Sequence, residues 1–125
     1  MHLLLELTAL NHYSKGRQKF EEEAVPAAAR RGLGVSVMKV VRPREKVKGI
    51  PTEKLILYAL SLPHVTAAVV GMDSLEVLRK NLALLHSFKP LEESEMEKLR
   101  VGLRPFYDAD DLPWLDPNYR DGTPA

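Results

Sequence analysis

The stretch TAAVVGMDSLEVLRKNLALL, Thr66 to Leu85, decides how this chain is read. A run of small and β-branched apolar residues stops at Gly71. An acid and a hydroxyl follow, and leucines then recur at helical spacing. A short apolar run bounded by a turn signal fits a strand buried on both faces, as in parallel sheets. Asp73 is placed to cap the helix, with Glu76 three residues on completing a capping-box pattern. Leu75, Leu78, Leu82 and Leu85 make the expected buried stripe. The same letters suit an anion seat: the first N–H groups of a helix lack internal partners, the dipole is positive there, and Gly71 admits a ligand close to the backbone. On pattern alone the plain capped helix is favoured, because the Asp73 carboxylate competes with an anion for the same donors.

Working outward, strand and helix signals alternate. Leu3 to Leu10 reads as a strand leaving into the loop NHYSKG. FEEEAVPAAARR, Phe20 to Arg31, reads as a helix with a solvated acidic start and arginines near its end, matching the helix dipole. Pro26 marks either a kink or the true first turn, and Gly32 is a helix stop. GVSVMKVV, Gly34 to Val41, suits a strand buried on both faces. A basic loop, RPREKVKGIP, leads to Thr52 as the expected cap of TEKLILYALSL, which stops before Pro63. HVTAAVVGM is the third strand. Glu92 to Leu103 is a more polar helix expected on the outside, and RPFYDADDLPWLDPNYRDGTPA reads as an extended tail. The alternation predicts an α/β fold with parallel strands joined by crossover helices. Three apolar parallel strands leave long edges, so more strands or a second copy of the chain are expected to cover them.

The chain has 125 residues, enough for one domain with a sizeable core. Apolar residues make up 45% and charged residues 28%, a soluble balance. A net charge of +1 argues against nucleic-acid binding by a broad basic face. The absence of cysteine excludes disulfides, thiol nucleophiles and thiolate metal sites, and fits a reducing cytoplasm. MHLLLELTAL has no basic leader and Glu6 interrupts it, so neither a signal peptide nor a membrane span is expected. No metal site is predicted.

FEEEAVPAAARRGLGVSVMKVV, then LILYALSLPHVTAAVVGMDSLEVLRKNLALL, then FKPL together resemble the carboxy-terminal part of aldo-keto reductases. The likeness covers roughly residues 3 to 91, leaving 92 to 125 as a terminal helix and tail. It implies an α/β, partial (β/α)8 TIM barrel comprising about the last three β/α units. It further implies an oxidoreductase that uses NADP, with NAD the alternative, to reduce aldehydes and ketones. The family's proton-transfer tetrad of Asp, Tyr, Lys and His lies in earlier strands and loops, so this chain alone is predicted inactive. His12 and Tyr13 match the end of the sixth barrel strand, not catalytic positions, and read as side chains of a loop. No catalytic residue is assigned.

The resemblance turns the Gly71 loop from a cap into a cofactor seat. Gly71, Met72, Asp73 and Ser74 match the loop that holds the adenosine 2′-phosphate, and Asn81 matches the adenine contact. Val77, where many members carry Arg or Gln, and Lys80, where many carry Glu, depart from the pattern, as does Met72; Arg79 or Lys80 is left to replace the charge. Arg42, Arg44, Lys46 and Lys48 are placed either to meet the pyrophosphate or to form a solvated loop, and Lys39 to reach the barrel interior or the cofactor. Trp114 is a candidate for the substrate pocket, with packing on the outer wall the alternative. The expected partners are a nicotinamide dinucleotide and either a missing amino-terminal half-barrel or a second copy. The rival reading is a non-catalytic, self-associating half-barrel or nucleotide-binding remnant.

Overall fold

A computed structural model describes residues 2–6, 20–41, 48–108 and 118. Three strands, β1 (His2–Glu6), β2 (Gly34–Met38) and β3 (Val65–Val69), form one parallel sheet in that order. Helix α1 (Val25–Arg30) follows a π-helical turn, Phe20–Ala24; α2 is Thr52–Ser61, α3 Leu75–His86 and α4 Glu93–Asp108. The sequence alternation thus yields the expected α/β parallel sheet.

Pro26 occupies the second position of α1, just where the Phe20–Ala24 π-helical turn passes into the α-helix; Ala24 before it is already helical, at φ −72° and ψ −44°. The same helix ends as its letters ask. Gly32 has φ +69°, its N–H donates to the Ala29 carbonyl, and the Leu33 N–H donates to the Ala28 carbonyl. That pair of bonds is a Schellman motif, which needs a left-handed residue where Gly32 stands.

The predicted strand Gly34–Val41 stops early, at Met38. Val35 and Val37 are fully buried, so strict alternation would carry Lys39 into the core. Instead Lys39 adopts φ 60°, its side chain is exposed, and Val40 is buried in its place. Only one face of β2 is sealed, which corrects the expectation of burial on both faces. Pairing with β3 slips between Val35 and Ser36, making Thr66 an extra residue. Its hydroxyl accepts the Val35 N–H at 3.1 Å, so the irregularity leaves that donor satisfied.

The core lies between this sheet face and the helices. Val25 and Ala28 of α1, Leu55, Tyr58 and Ala59 of α2, and Met96 and Leu103 of α4 close over Val35, Val37 and Val40. Helix α4 is therefore part of the core and not an outer ornament, and it runs through Arg104–Asp108, where an extended tail was expected. Lys54 and Glu95 pair at 2.9 Å between α2 and α4. The Ser61 hydroxyl donates to the Leu57 carbonyl and accepts the Leu91 N–H at 2.8 Å, tying α2 to the segment that enters α4.

The leucine stripe of α3 is not buried. Leu75, Leu82 and Leu85 are 70%, 47% and 54% exposed; Leu78 is half-buried, as are Val77, Asn81, Leu84 and, just past the helix, Phe88. The reason is positional: α3 follows the last strand, so no further strand among the described residues receives its leucine face. β3 is correspondingly open, with Val69 55% exposed.

Candidate functional site

In an open parallel sheet, ligands bind beyond the carboxyl ends of the strands, where helix amino termini converge. Here β2 and β3 deliver Val41, Val70 and Gly71 to that edge, and the first turns of α2 and α3 face them. A cleft of ≈ 200 Å³ lies there, floored by Val41, Ile56, Val70 and Val77 and rimmed by Thr52, Glu53, Gly71, Lys80 and Asn81. Three of the eight predicted cofactor residues, Gly71, Lys80 and Asn81, line it together.

The amino end of α3 departs from the predicted cap. Ser74 is the cap, its hydroxyl accepting the Val77 N–H at 3.2 Å, and Asp73 stands outside the helix, exposed. Glu76 does not reach back as a capping box would. It pairs with Lys80 one turn later at 2.8 Å, which lowers the Glu76 pKa and raises that of Lys80. Both side chains are largely in water, so this pair contributes little to stability. Thr52 is likewise no cap: Pro51 holds that position, and Thr52 is the first helical residue. Gly71 needs no left-handed backbone, and a Cβ built on it meets nothing within 4 Å; its value is the open approach it leaves to the main chain.

Of the other predicted residues, the described ones, Met72, Asp73, Ser74 and Lys39, do not line the cleft. Met72, 53% exposed, lines a neighbouring cavity of ≈ 280 Å³ between α2, β3 and α3, an apolar space that shares Ile56, Val70 and Asn81 with the cleft. Lys39 is exposed at the end of β2 and does not line the cleft. Arg42, with Arg44 and Lys46, lies outside the described residues, as do His12, Tyr13 and Trp114; Lys48 is described and exposed.

Sequence reasoning missed Glu53, whose carboxylate adds to the field at Lys80. It also missed a polar cluster on the far side of α2. Glu21, expected in water, is turned inward: Tyr58 donates its hydroxyl to Glu21 Oε2 at 3.0 Å and accepts the Arg100 Nε–H at 3.0 Å. Burial, opposed by the Tyr58 hydrogen bond and the Arg100 charge, pushes the Glu21 carboxyl up to about 7. Burial and the nearby Glu21 carboxylate together push the Tyr58 hydroxyl well above the usual phenol range. The signal was available, since Glu21, Val25 and Ala28 share one face at helical spacing and the last two are core.

No group of three or more His, Asp or Glu side chains among the described residues is placed to hold a metal ion. No helix among them is long and apolar enough to cross a membrane. No protein-family model, curated protein or solved structure matches the chain.

Proposed function

We propose that this chain is the nucleotide-binding carboxy-terminal part of an aldo-keto reductase-like (β/α)8 barrel, a cytoplasmic oxidoreductase scaffold that holds the adenosine end of NADP, with NAD as the alternative. The observation that carries this reading is the meeting of Gly71, Lys80 and Asn81 in one cleft at the carboxyl edge of a parallel sheet. Asn81 offers both a donor and an acceptor to an adenine edge. The N–H groups of Leu75 and Glu76, in the first turn of α3, have no intrahelical partner and are the donors that a phosphate at this helix end would use. Lys80 supplies the positive charge, shared with Glu76 and facing Glu53. The cleft is below the roughly 300–1,000 Å³ of a complete small-molecule pocket, so it fits one end of a dinucleotide. The bound nicotinamide would supply a hydride for carbonyl reduction; this chain's described residues bind and orient, and the proton donor belongs to the other half of the barrel.

Titration with NADPH and with NADH, repeated on Asn81→Ala and Lys80→Ala, tests this. Loss of one hydrogen bond or one charge contact weakens binding by about 5- to 10-fold. An affinity that neither substitution changes overturns the assignment.

The exposed leucine face of α3 and the open edge of β3 favour a second reading, a non-catalytic half-barrel that self-associates. It predicts a dimer and no carbonyl-dependent oxidation of NADPH.

A further inference from the structure

Away from the cleft, Glu21, Tyr58 and Arg100 join three elements that are distant in sequence. The π-helical turn supplies Glu21, α2 supplies Tyr58 and α4 supplies Arg100. The order of the hydrogen bonds is fixed by chemistry. Tyr58 Oη accepts from Arg100 Nε, a group that can only donate, so its own proton goes to Glu21 Oε2. Arg100 also lies 5.7 Å from the centre of the Tyr58 ring. Its remaining charge is already shared, because the same guanidinium pairs with Glu93 and Glu97 on α4. Glu21 Oε1 is buried and has no hydrogen-bond partner.

An ionised Glu21 therefore keeps one supported oxygen and one bare one, with Glu22 and Glu93 as acidic neighbours and Arg100 as the cation facing it. A buried carboxylate in that condition is costly, and a neutral carboxylic acid far less so. The neutral acid still accepts the Tyr58 hydroxyl, so the three-element contact survives protonation and is strained by ionisation.

We propose that Glu21 is a proton-operated latch: its neutral acid docks the Phe20–Ala24 turn onto Tyr58 and Arg100, and opening of the turn is coupled to loss of that proton. The turn leads without a break into α1, whose Val25 and Ala28 are core, and α1 leads into β2, whose carboxyl end borders the cleft. The latch thus connects pH to the order of the segment that precedes the sheet's central strand. Because the closed form holds its proton to about pH 7, the coupling falls in the neutral range.

Two measurements on the whole chain test the latch. The first is a carbon-13 carboxyl titration of the wild type by NMR. A Glu21 midpoint near 7 is expected, and one near the ordinary 4.5 overturns the proposal. Tyr58→Phe removes the hydrogen bond that favours the ionised form, so the Glu21 midpoint rises further; an unchanged midpoint overturns the pairing on which the latch depends. The second is amide hydrogen exchange of residues 20–30, corrected for the intrinsic pH dependence of exchange. Protection falls by about tenfold per pH unit between pH 5 and 7 and levels off above. Glu21→Gln, neutral at every pH, abolishes that slope. Equal slopes in wild type and variant contradict the latch.

Discussion

A buried acid that stays protonated to neutral pH must also register in the stability of the whole domain. Consider Glu21→Gln, which keeps an oxygen to accept the Tyr58 hydroxyl and removes the titration. In the wild type the carboxyl titrates near 4.5 when unfolded and near 7 when folded. Below pH 4.5 both states are protonated and Glu21 adds no pH dependence. Between 4.5 and 7 the folded chain keeps a proton that the unfolded chain releases, so stability falls as pH rises. Above 7 both states are ionised and the loss is complete. The interval is 2.5 pH units, which at about 1.4 kcal/mol per unit amounts to about 3 kcal/mol. That is a large share of the roughly 5–15 kcal/mol that holds a domain folded. Urea unfolding of wild type and variant at half-unit steps from pH 4.5 to 8 gives the difference directly. Groups common to both chains, such as Glu76 and Glu95, whose ion pairs weaken as pH falls, cancel in it. The variant gains on the wild type as pH rises and the gap is flat above pH 7. A gap that is constant with pH, or one that narrows as pH rises, refutes the reasoning.

Two local substitutions test the backbone account. Gly32→Ala meets no steric obstacle, so its cost is that of a left-handed alanine, about 1–2 kcal/mol by urea unfolding; a neutral or stabilising result means that the Schellman end of α1 is wrong. Ser61→Ala strips the Leu91 N–H of its acceptor and loosens the entry to α4, at about 1–3 kcal/mol, together with faster exchange of the Leu91 amide; unchanged exchange at Leu91 contradicts the bond.

Element type and order were legible in the sequence because punctuation and periodicity are local. Gly32 ends α1 and Pro63 follows α2, as read; for Pro26 the letters allowed either a kink or a first turn. What failed depended on neighbours remote in sequence. The leucines of α3 have helical spacing, but spacing says which residues share a face and not whether anything covers it. The end of β2 turned on a single conflict: continued alternation would have buried Lys39, and a left-handed residue resolved it in favour of Val40. Between Asp73 and Ser74, both good caps, the pattern preferred the one with a glutamate three residues on, whereas Glu76 is drawn to Lys80 instead. Glu21 was read as solvated because it stands in an acidic run, and its partners Tyr58 and Arg100 are 37 and 42 residues further along successive contacts. Of the cofactor residues, Gly71 at the end of β3 and Lys80 and Asn81 within α3 come together, whereas Met72, Asp73 and Ser74 of the intervening turn do not line the cleft. Lys39 does not, because the chain turns at that point.

The proposed function requires the cleft beside Gly71 to take the adenosine end of a nicotinamide dinucleotide. Amide chemical-shift mapping with NADPH tests it most directly. Saturable shifts are expected at Gly71, Leu75, Glu76 and Asn81, with the Glu21–Tyr58–Arg100 side of α2 unmoved. Shifts that do not saturate, or that fall on the exposed leucine face of α3 and leave Gly71 and Asn81 unchanged, contradict it.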